Sequence, residues 1–208
     1  MTAGARHDTA LAAVQGIVLA GGASRRFGSD KRLAEVDGEP LLLRALRPWL
    51  QACGEGLCGV LVVLRAESPG ERALAARIQA LGARTTFCAD AALGMGHSLA
   101  WGVAQTAAAA GWVVGLGDMP ALRAASIGAV ARALGAGRIV LPMHGGQRGH
   151  PVGFDAVFGD ALRGLRGDTG ARALLQQHAA AVRRIELDDS GTLLDVDAPA
   201  QLGALRGR

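Results

Sequence analysis

Tyrosine is absent from the chain, and all aromatic residues together make up 3% of its 208 positions. Proteins that grip single-stranded nucleic acid stack bases on aromatic rings. That scarcity, with arginines spread along the chain, argues against a nucleic-acid partner despite a net charge of +4 and a pI of about 9.7. A basic enzyme whose substrates are polyphosphates needs no polymer partner. Cysteine is scarce too: Cys53, Cys58 and Cys88 lack the paired spacing of a zinc site. Their odd number fits a reducing cytoplasm, and they read as buried or loop thiols. No wholly apolar run reaches the roughly 18 residues of a membrane span. The segment 1–15 lacks the firm apolar stretch of a signal peptide. It is expected to be a flexible leader to a single domain over 16–208, in a chain that can bury one sizeable core.

Two familiar phosphate loops are also missing. A Walker loop requires GxxxxGK[ST], but counted from Gly22 the second glycine is replaced by Phe27, and Lys31 falls outside the spacing. A dinucleotide fingerprint requires GxGxxG and an acidic residue ending a clear second strand about 20 residues later, and the loop that follows Ala20 supplies neither. What does follow the apolar run Gly16 to Ala20 is the loop LAGGASRRFGSDK, Leu19 to Lys31. Gly21 and Gly22 let backbone N–H groups approach phosphate oxygens, Gly28 suits a tight turn, and Arg25, Arg26 and Lys31 neutralise charge. The pattern points to a nucleoside triphosphate.

Apolar runs alternate with Ala/Leu-rich stretches of helical period, the βαβ rhythm of a mostly parallel sheet. Strands are expected at 59–64, 85–88, 111–116, 138–141 and 182–187, and helices at 40–52, 70–81 and 97–109. The expected architecture is α/β: one Rossmann-like, three-layer α/β/α domain. Ligands of such sheets gather beyond the carboxyl ends of the strands. Asp118 stands there, in Gly117-Asp118-Met119-Pro120 after the strand at 111–116, either as a turn former or as a carboxylate for Mg²⁺. Asp195 and Asp197, in Leu193 to Pro199, alternate on one face if the segment is a short strand. Either is a candidate second ligand, and either could cap a helix beginning at Pro199.

Three further segments carry polar side chains. In Gly94 to Leu99, Gly96 permits close backbone approach, and Ser98 can cap a helix or bond a base or ribose. His144 to Pro151 is a glycine-dense polar turn whose plain reading is a hairpin with an exposed imidazole. Arg166 to Arg172 reads as a helix start capped by Asp168 or Thr169.

The first loop, as GGxSxRFGxDK, resembles the signature of the molybdopterin nucleotidyltransferases, relatives of the sugar-phosphate nucleotidyltransferases. The resemblance extends in family order through GMxxSL, LxDMP, RGHPVxF, GDxGAR and DxDxP, from about residue 16 to 202. It implies the fold of the nucleotide-diphospho-sugar transferases. It also implies nucleotide contacts from Leu19, Ala20, Gly21, Gly22, Ser24, Arg26, Lys31, Gly96, Ser98 and Asp118. Mg²⁺ would be held by Asp118 and Asp197, with Asp195 as the alternative. Arg148, His150, Asp168 and Arg172 would face the pterin acceptor. Two features disagree on the base: RGHPVxF and GDxGAR resemble the cytidylyl branch, while AGG at 20–22 is the form expected of the guanylyl branch.

The implied reaction is attack of the terminal phosphate of molybdenum-molybdopterin on the α-phosphorus of CTP or GTP, with loss of pyrophosphate. Arg26, Lys31 and Asp118 are the implied catalytic residues, and positioning and electrostatics supply the rate. No histidine is needed as a base, because a phosphate nucleophile is already anionic. The same likeness implies a cytoplasmic enzyme whose product goes to a molybdoenzyme or its chaperone. A related enzyme acting on a sugar phosphate or another phosphorylated small molecule would share the loop and the metal site.

Overall fold

The computed structural model describes residues 13–22, 24, 27–168 and 170–205. The first strand, β1 (Val14–Leu19), precedes the glycine-rich loop, and a small antiparallel hairpin follows, β2 (Glu35–Val36) with β3 (Glu39–Pro40). Next come α1 (Leu41–Gln51), β4 (Leu57–Leu64), α2 (Pro69–Ala80), β5 (Arg84–Phe87), α3 (Met95–Ala104) and β6 (Gly111–Leu116). The chain continues through α4 (Ala124–Ala133), β7 (Ile139–His144), β8 (Gln147–Arg148), β9 (Val152–Asp155), α5 (Gly159–Arg163), α6 (Arg172–Gln177) and β10 (Val182–Glu186).

The main sheet runs β10-β7-β9-β6-β1-β4-β5, with β8 paired to β7. β1 lies between β4 and β6, parallel to both, so Ile17 sits beside Leu61 on one side and Val114 on the other. The chain leaves β1 in one direction toward β4 and later returns on its other side at β6. That reversal opens a crevice at the carboxyl edge, where α/β sheets bind ligands. Strands buried on both faces need apolar residues in succession, and β1 supplies them. Val18 joins the core formed with α1, α2 and α4, including Leu42, Leu46, Trp49, Ile78 and Ile127. Ile17 and Leu19 point the other way, into the core with Leu99 and Val103 of α3 and Leu162 of α5. The result is the expected three-layer α/β fold with a mostly parallel sheet.

Several boundaries and several short elements differ from expectation. β1 begins at Val14, so Val14 and Gln15 belong to the sheet, while residues 1–12 lie outside the described ones. Helix α3 ends at Ala104 although the alanine-rich sequence continues. The Thr106 hydroxyl turns back to Gly102 O at 2.8 Å and accepts from Trp112 Nε1 at 2.9 Å, which fixes a turn where propensity alone would extend the helix. β9 pairs antiparallel with both β6 and β7. Its short apolar run behind Pro151 carries too little pattern to announce a strand. α4 was likewise unannounced, since its small residues Ala, Ser and Gly dilute the apolar period.

Packing is tightest at Gly115 of β6. A Cβ there would lie 2.4 Å from Cζ2 of Trp49, which is itself 1% exposed. A buried indole has nowhere to move, so Gly115→Ala is expected to cost about 1–3 kcal/mol or more by overpacking, measured as a lower urea midpoint with unchanged m-value.

Candidate active site

The loop after β1 is anchored at both edges. Ala20 N donates to Val63 O at 2.9 Å, and Gly117 N donates to Leu19 O at 3.0 Å, joining the carboxyl ends of β4, β1 and β6. Gly21 faces α3, where a Cβ would come within 2.9 Å of Ala91 Cβ and 3.0 Å of Ser98 Oγ. Ser24 has a φ of 52°, a left-handed turn, and its hydroxyl accepts from Lys31 N at 3.3 Å. Phe27 folds back, its N–H on Ser24 O and its ring in the small core with Val36, Leu41 and Val196. Arg25 and Arg26, two of the three cations assigned to this loop, lie outside the described residues.

Asp30 then caps a short 3₁₀ turn, Lys31–Leu33, accepting from Arg32 N. The turn sends Lys31 across the crevice. Its Nζ donates to Asp118 Oδ2 at 2.6 Å, to Val196 O at 2.9 Å and to Asp197 Oδ1 at 3.3 Å. Burial opposes the charge on this ammonium, and the hydrogen bonds and charges of Asp118 and Asp197 more than offset it, raising its pKa above the ordinary lysine value. The segment bearing Asp197 is held in turn by Val196 N donating to Asp118 O at 2.9 Å.

A cleft of about 550 Å³ opens over this cluster, within the usual range for small-molecule sites. Leu19, Ala20, Gly21, Gly22, Ser24, Lys31, Ser98, Asp118, Asp195 and Asp197 all line it, as does Asp168. Leu193 to Pro199 is not a strand; it is an irregular stretch between two 3₁₀ turns, and it brings both Asp195 and Asp197 to the cleft. The backbone N–H groups of Asp197 and Ala198 donate to Gln201 Oε1, each at 2.7 Å, which ties this stretch to the turn at Pro199–Leu205.

Other expected site residues are placed differently. Gly96 does not line the cleft. The close approach it permits is to the 166–168 segment, where its N–H donates to Gly167 O at 2.8 Å and a Cβ would meet Arg166 O at 2.8 Å. Ser98 lies inside α3 rather than capping it. Asp168 reaches the cleft because Gly167 N bonds His97 Nδ1 at 3.2 Å, pinning its loop to the start of α3. Thr169 lies outside the described residues, and α6 begins at Arg172 with no side-chain cap. Arg148 on β8 and Arg172 on α6 are exposed and absent from the cleft lining. His150 is no exposed hairpin imidazole: its Nδ1 is buried without a hydrogen-bond partner among the described residues. Burial lowers its pKa against the opposing pull of Asp118 and Asp195, so the ring is held neutral.

A second charged group carries the loop from below. Arg32, 5% exposed, also lines the cleft. It donates to Ala20 O at 3.0 Å, to Asp30 through Nε at 2.9 Å and Nη2 at 2.6 Å, and to both carboxylate oxygens of Glu71. Arg65, just past β4, donates to Gly22 O and to Asp30 Oδ2 at 3.1 Å. Burial pushes Asp30 upward, and Arg32 and Arg65 overcome it, leaving its carboxyl below the ordinary value. The sequence signal for Arg32, Glu71 and Arg65 was weak, since isolated charges outside a motif look like surface.

Among the described residues, no group of three or more His, Cys, Asp or Glu side chains could hold a metal by itself. The residues present nonetheless fit Mg²⁺. This ion binds through one or two carboxylates together with phosphate oxygens and waters. Asp118 and Asp197 converge, and Asp118 Oδ1 is buried with no hydrogen-bond partner among the described residues, an acceptor that asks for a cation or water.

A crevice of this kind, with cations and carboxylates over a glycine-rich loop, defines a nucleotidyl-transfer site. The chain matches the MobA-like NTP transferase domain over residues 16–182 and belongs to that family of nucleotidyltransferases. It is 34% identical over 200 residues to the purine catabolism protein PucB of Bacillus subtilis (strain 168), covering 92% of this chain and 95% of that protein. It is 31% identical over 204 residues to the nicotine blue oxidoreductase of Paenarthrobacter nicotinovorans, covering 94% and 97%. The crystal structure of Rv0371c from Mycobacterium tuberculosis H37Rv superposes with a TM-score of 0.77 at 25% identity, covering 94% of this chain and 98% of that one. The same protein in complex with manganese gives 0.68 at 24% identity, covering 84% and 88%. No helix among the described residues is long and apolar enough to cross a membrane.

Removing Glu71 leaves the buried Arg32 guanidinium short of its partner. Glu71→Ala is expected to destabilise the fold by about 3–5 kcal/mol, read from chemical denaturation, where a loss below about 1 kcal/mol would show that the pair is not a structural anchor.

Proposed function

We propose that this nucleotidyltransferase moves a nucleoside monophosphate from CTP or GTP to the terminal phosphate of molybdenum-molybdopterin, with Mg²⁺ as cofactor, in the cytoplasm. The observation that carries the reading is the meeting of Lys31, Asp118 and Asp197 over the phosphate loop in one cleft.

In this reaction an oxygen of the acceptor phosphate forms a bond to the α-phosphorus, the bond from that phosphorus to the bridging oxygen breaks, and pyrophosphate leaves with the electron pair. Little proton chemistry is needed, so the protein's work is placement and charge stabilisation. The backbone at Gly21 and Gly22 and the Lys31 ammonium lie where the triphosphate would enter, and by family likeness Arg26 joins them. Asp118 and Asp197 would hold Mg²⁺, which neutralises phosphate charge and polarises the attacked phosphorus. Asp168, which lines the cleft, would face the acceptor, and His150, buried near Asp118 and Asp195, would act from outside the lining. Arg148 and Arg172, offered for the same role by the motif resemblance, would have to act from outside the cleft lining. AGG at 20–22 favours the guanylyl branch, and the crowding of Gly21 against Ala91 and Ser98 supports the absence of a side chain at that position. The RGHPVxF and GDxGAR segments favour CTP.

A different phosphorylated acceptor, such as a sugar phosphate, is the second reading. It is favoured by the cleft lining, which includes the loop residues expected to meet a triphosphate but only one of the four acceptor candidates, Asp168. One relative bears the name of an oxidoreductase, but the glycine-rich loop after β1 lacks the GxGxxG spacing of a dinucleotide site in this chain.

The test is pyrophosphate release with Mg²⁺ and molybdenum-loaded molybdopterin, comparing CTP, GTP, ATP and UTP. Release with CTP or GTP alone is expected. No release with any of them, from folded protein that binds one, moves the acceptor to another phosphorylated molecule. Lys31→Gln, which keeps a donor for Asp118, is expected to lower turnover about 10²–10³-fold, the usual cost of one charge-stabilising group. Near-normal turnover would remove Lys31 from the mechanism.

A further inference from the structure

An ammonium has three donors and no more. All three of Lys31's are taken up by Asp118 Oδ2, Val196 O and Asp197 Oδ1. The first and third of these belong to the carboxylates that a divalent ion would need. We infer that Lys31 is an internal cation that holds the metal site of this cleft assembled and closed until a polyphosphate arrives to receive it. The inference rests on the nucleotidyl-transfer reading and concerns the order in which that site fills.

The electrostatics run in both directions. With no cation between them, Asp118 and Asp197 would repel across a partly buried gap. Lys31 relieves that repulsion, its ammonium lying 2.6 Å from one carboxylate and 3.3 Å from the other. A divalent ion entering alone would stand beside a held ammonium, like charge against like charge in a site of reduced dielectric. Asp118, Asp197 and the Val196 carbonyl hold the ammonium from three sides, so it has little reason to leave. A triphosphate changes this by offering oxygens above Gly21 and Gly22. Lys31 turns to them, and both carboxylates are freed for the ion. Metal alone therefore binds weakly, and metal with polyphosphate binds well. The unpartnered Oδ1 of Asp118 fits this account, since Lys31 occupies only Oδ2 and leaves an acceptor in waiting.

The probe is Mn²⁺ alone, titrated without nucleotide and followed by the EPR signal of the free ion. The proteins are the full-length wild type, Lys31→Met and Lys31→Gln, the last keeping an amide donor for Asp118 and Val196 so that the fold is retained. Both variants are expected to bind Mn²⁺ at least about tenfold more tightly than wild type, because a competing unit charge is gone. Asp118→Asn in the Lys31→Gln background should return binding to the wild-type level, which locates the ion at these carboxylates. Equal affinity in wild type and both variants overturns the inference, as does tightening that survives Asp118→Asn. A parallel titration of wild type with CTP and GTP in the presence of Mn²⁺ separates the two readings. Failure to bind either nucleotide counts against the proposed function, while the nucleotide-free Mn²⁺ comparison still decides the role of Lys31.

Discussion

One ionic contact closes this molecule at its working edge: the 2.6 Å pairing of Lys31 Nζ with Asp118. Lys31 follows the loop that leaves β1, Asp118 follows β6, and Val196 and Asp197 come from far along the chain. Few backbone hydrogen bonds link these segments, since strand ladders end where the loops begin. The charge cluster therefore does at the carboxyl edge what ladder bonds do within the sheet. A contact half-buried in this way is worth more than a surface pair and is screened less by salt. It is also less permanent than apolar packing. An active site needs that combination, because its groups must be placed before substrate arrives and must then exchange partners.

Beneath that changeable layer lies a fixed one. Arg32 and Glu71 are both under a tenth exposed and face each other in a two-pronged contact, with Asp30 and the Ala20 carbonyl taking the remaining donors of the guanidinium. Arg32 is the immediate neighbour of Lys31, so anchoring it to α2 sets where the lysine side chain begins. Its bond to Ala20 O, with the bond from Arg65 to Gly22 O, occupies carbonyls on either side of Gly21. With these carbonyls tied back, amide N–H groups of the loop are left for a ligand, the arrangement that makes a glycine-rich loop an anion cradle. Glu71 is diverted to this task from a more local one. Ser68-Pro-Gly-Glu71 has the spacing of a capping box, and Ser68 does accept from Glu71 N at 3.2 Å. The return bond from the glutamate side chain is not made, because Arg32 claims both of its oxygens.

That diversion illustrates what a sequence can and cannot announce. The strands flanking the loop were legible because a buried parallel strand must be apolar without interruption, and Gly111–Leu116 is. Asp118 was legible because the rule for ligands at strand ends names its position directly. The convergence of Asp197 on the same lysine was legible only by family likeness, since sequence distance hides it. Glu71 was not legible at all: nothing in one dimension reveals that a buried arginine lies alongside its carboxylate. β9 escaped for a related reason, its neighbours in the sheet being set by the return of the chain and not by its own short apolar run. Gly96 shows the opposite error, where a glycine that fits a ligand-binding loop turns out to admit another stretch of backbone.

The division of labour between the adjacent cations Lys31 and Arg32 is itself chemical. Lys31 is the sole lysine of the chain, every other permanent cation being arginine. A guanidinium is a planar fork suited to two carboxylates approaching in its plane, and Arg32 meets Glu71 and Asp30 in that manner. A fork of that size serves a permanent anchor. The contact across the crevice has different requirements: three oxygens from three directions, a compact charge that fits between them, and a flexible stem that can carry this charge a few ångströms to a phosphate. An ammonium on four methylenes meets them, and a rigid guanidinium does not. In a chain that otherwise uses arginine throughout, a lysine kept at this one position is what a movable charge beside a metal site requires.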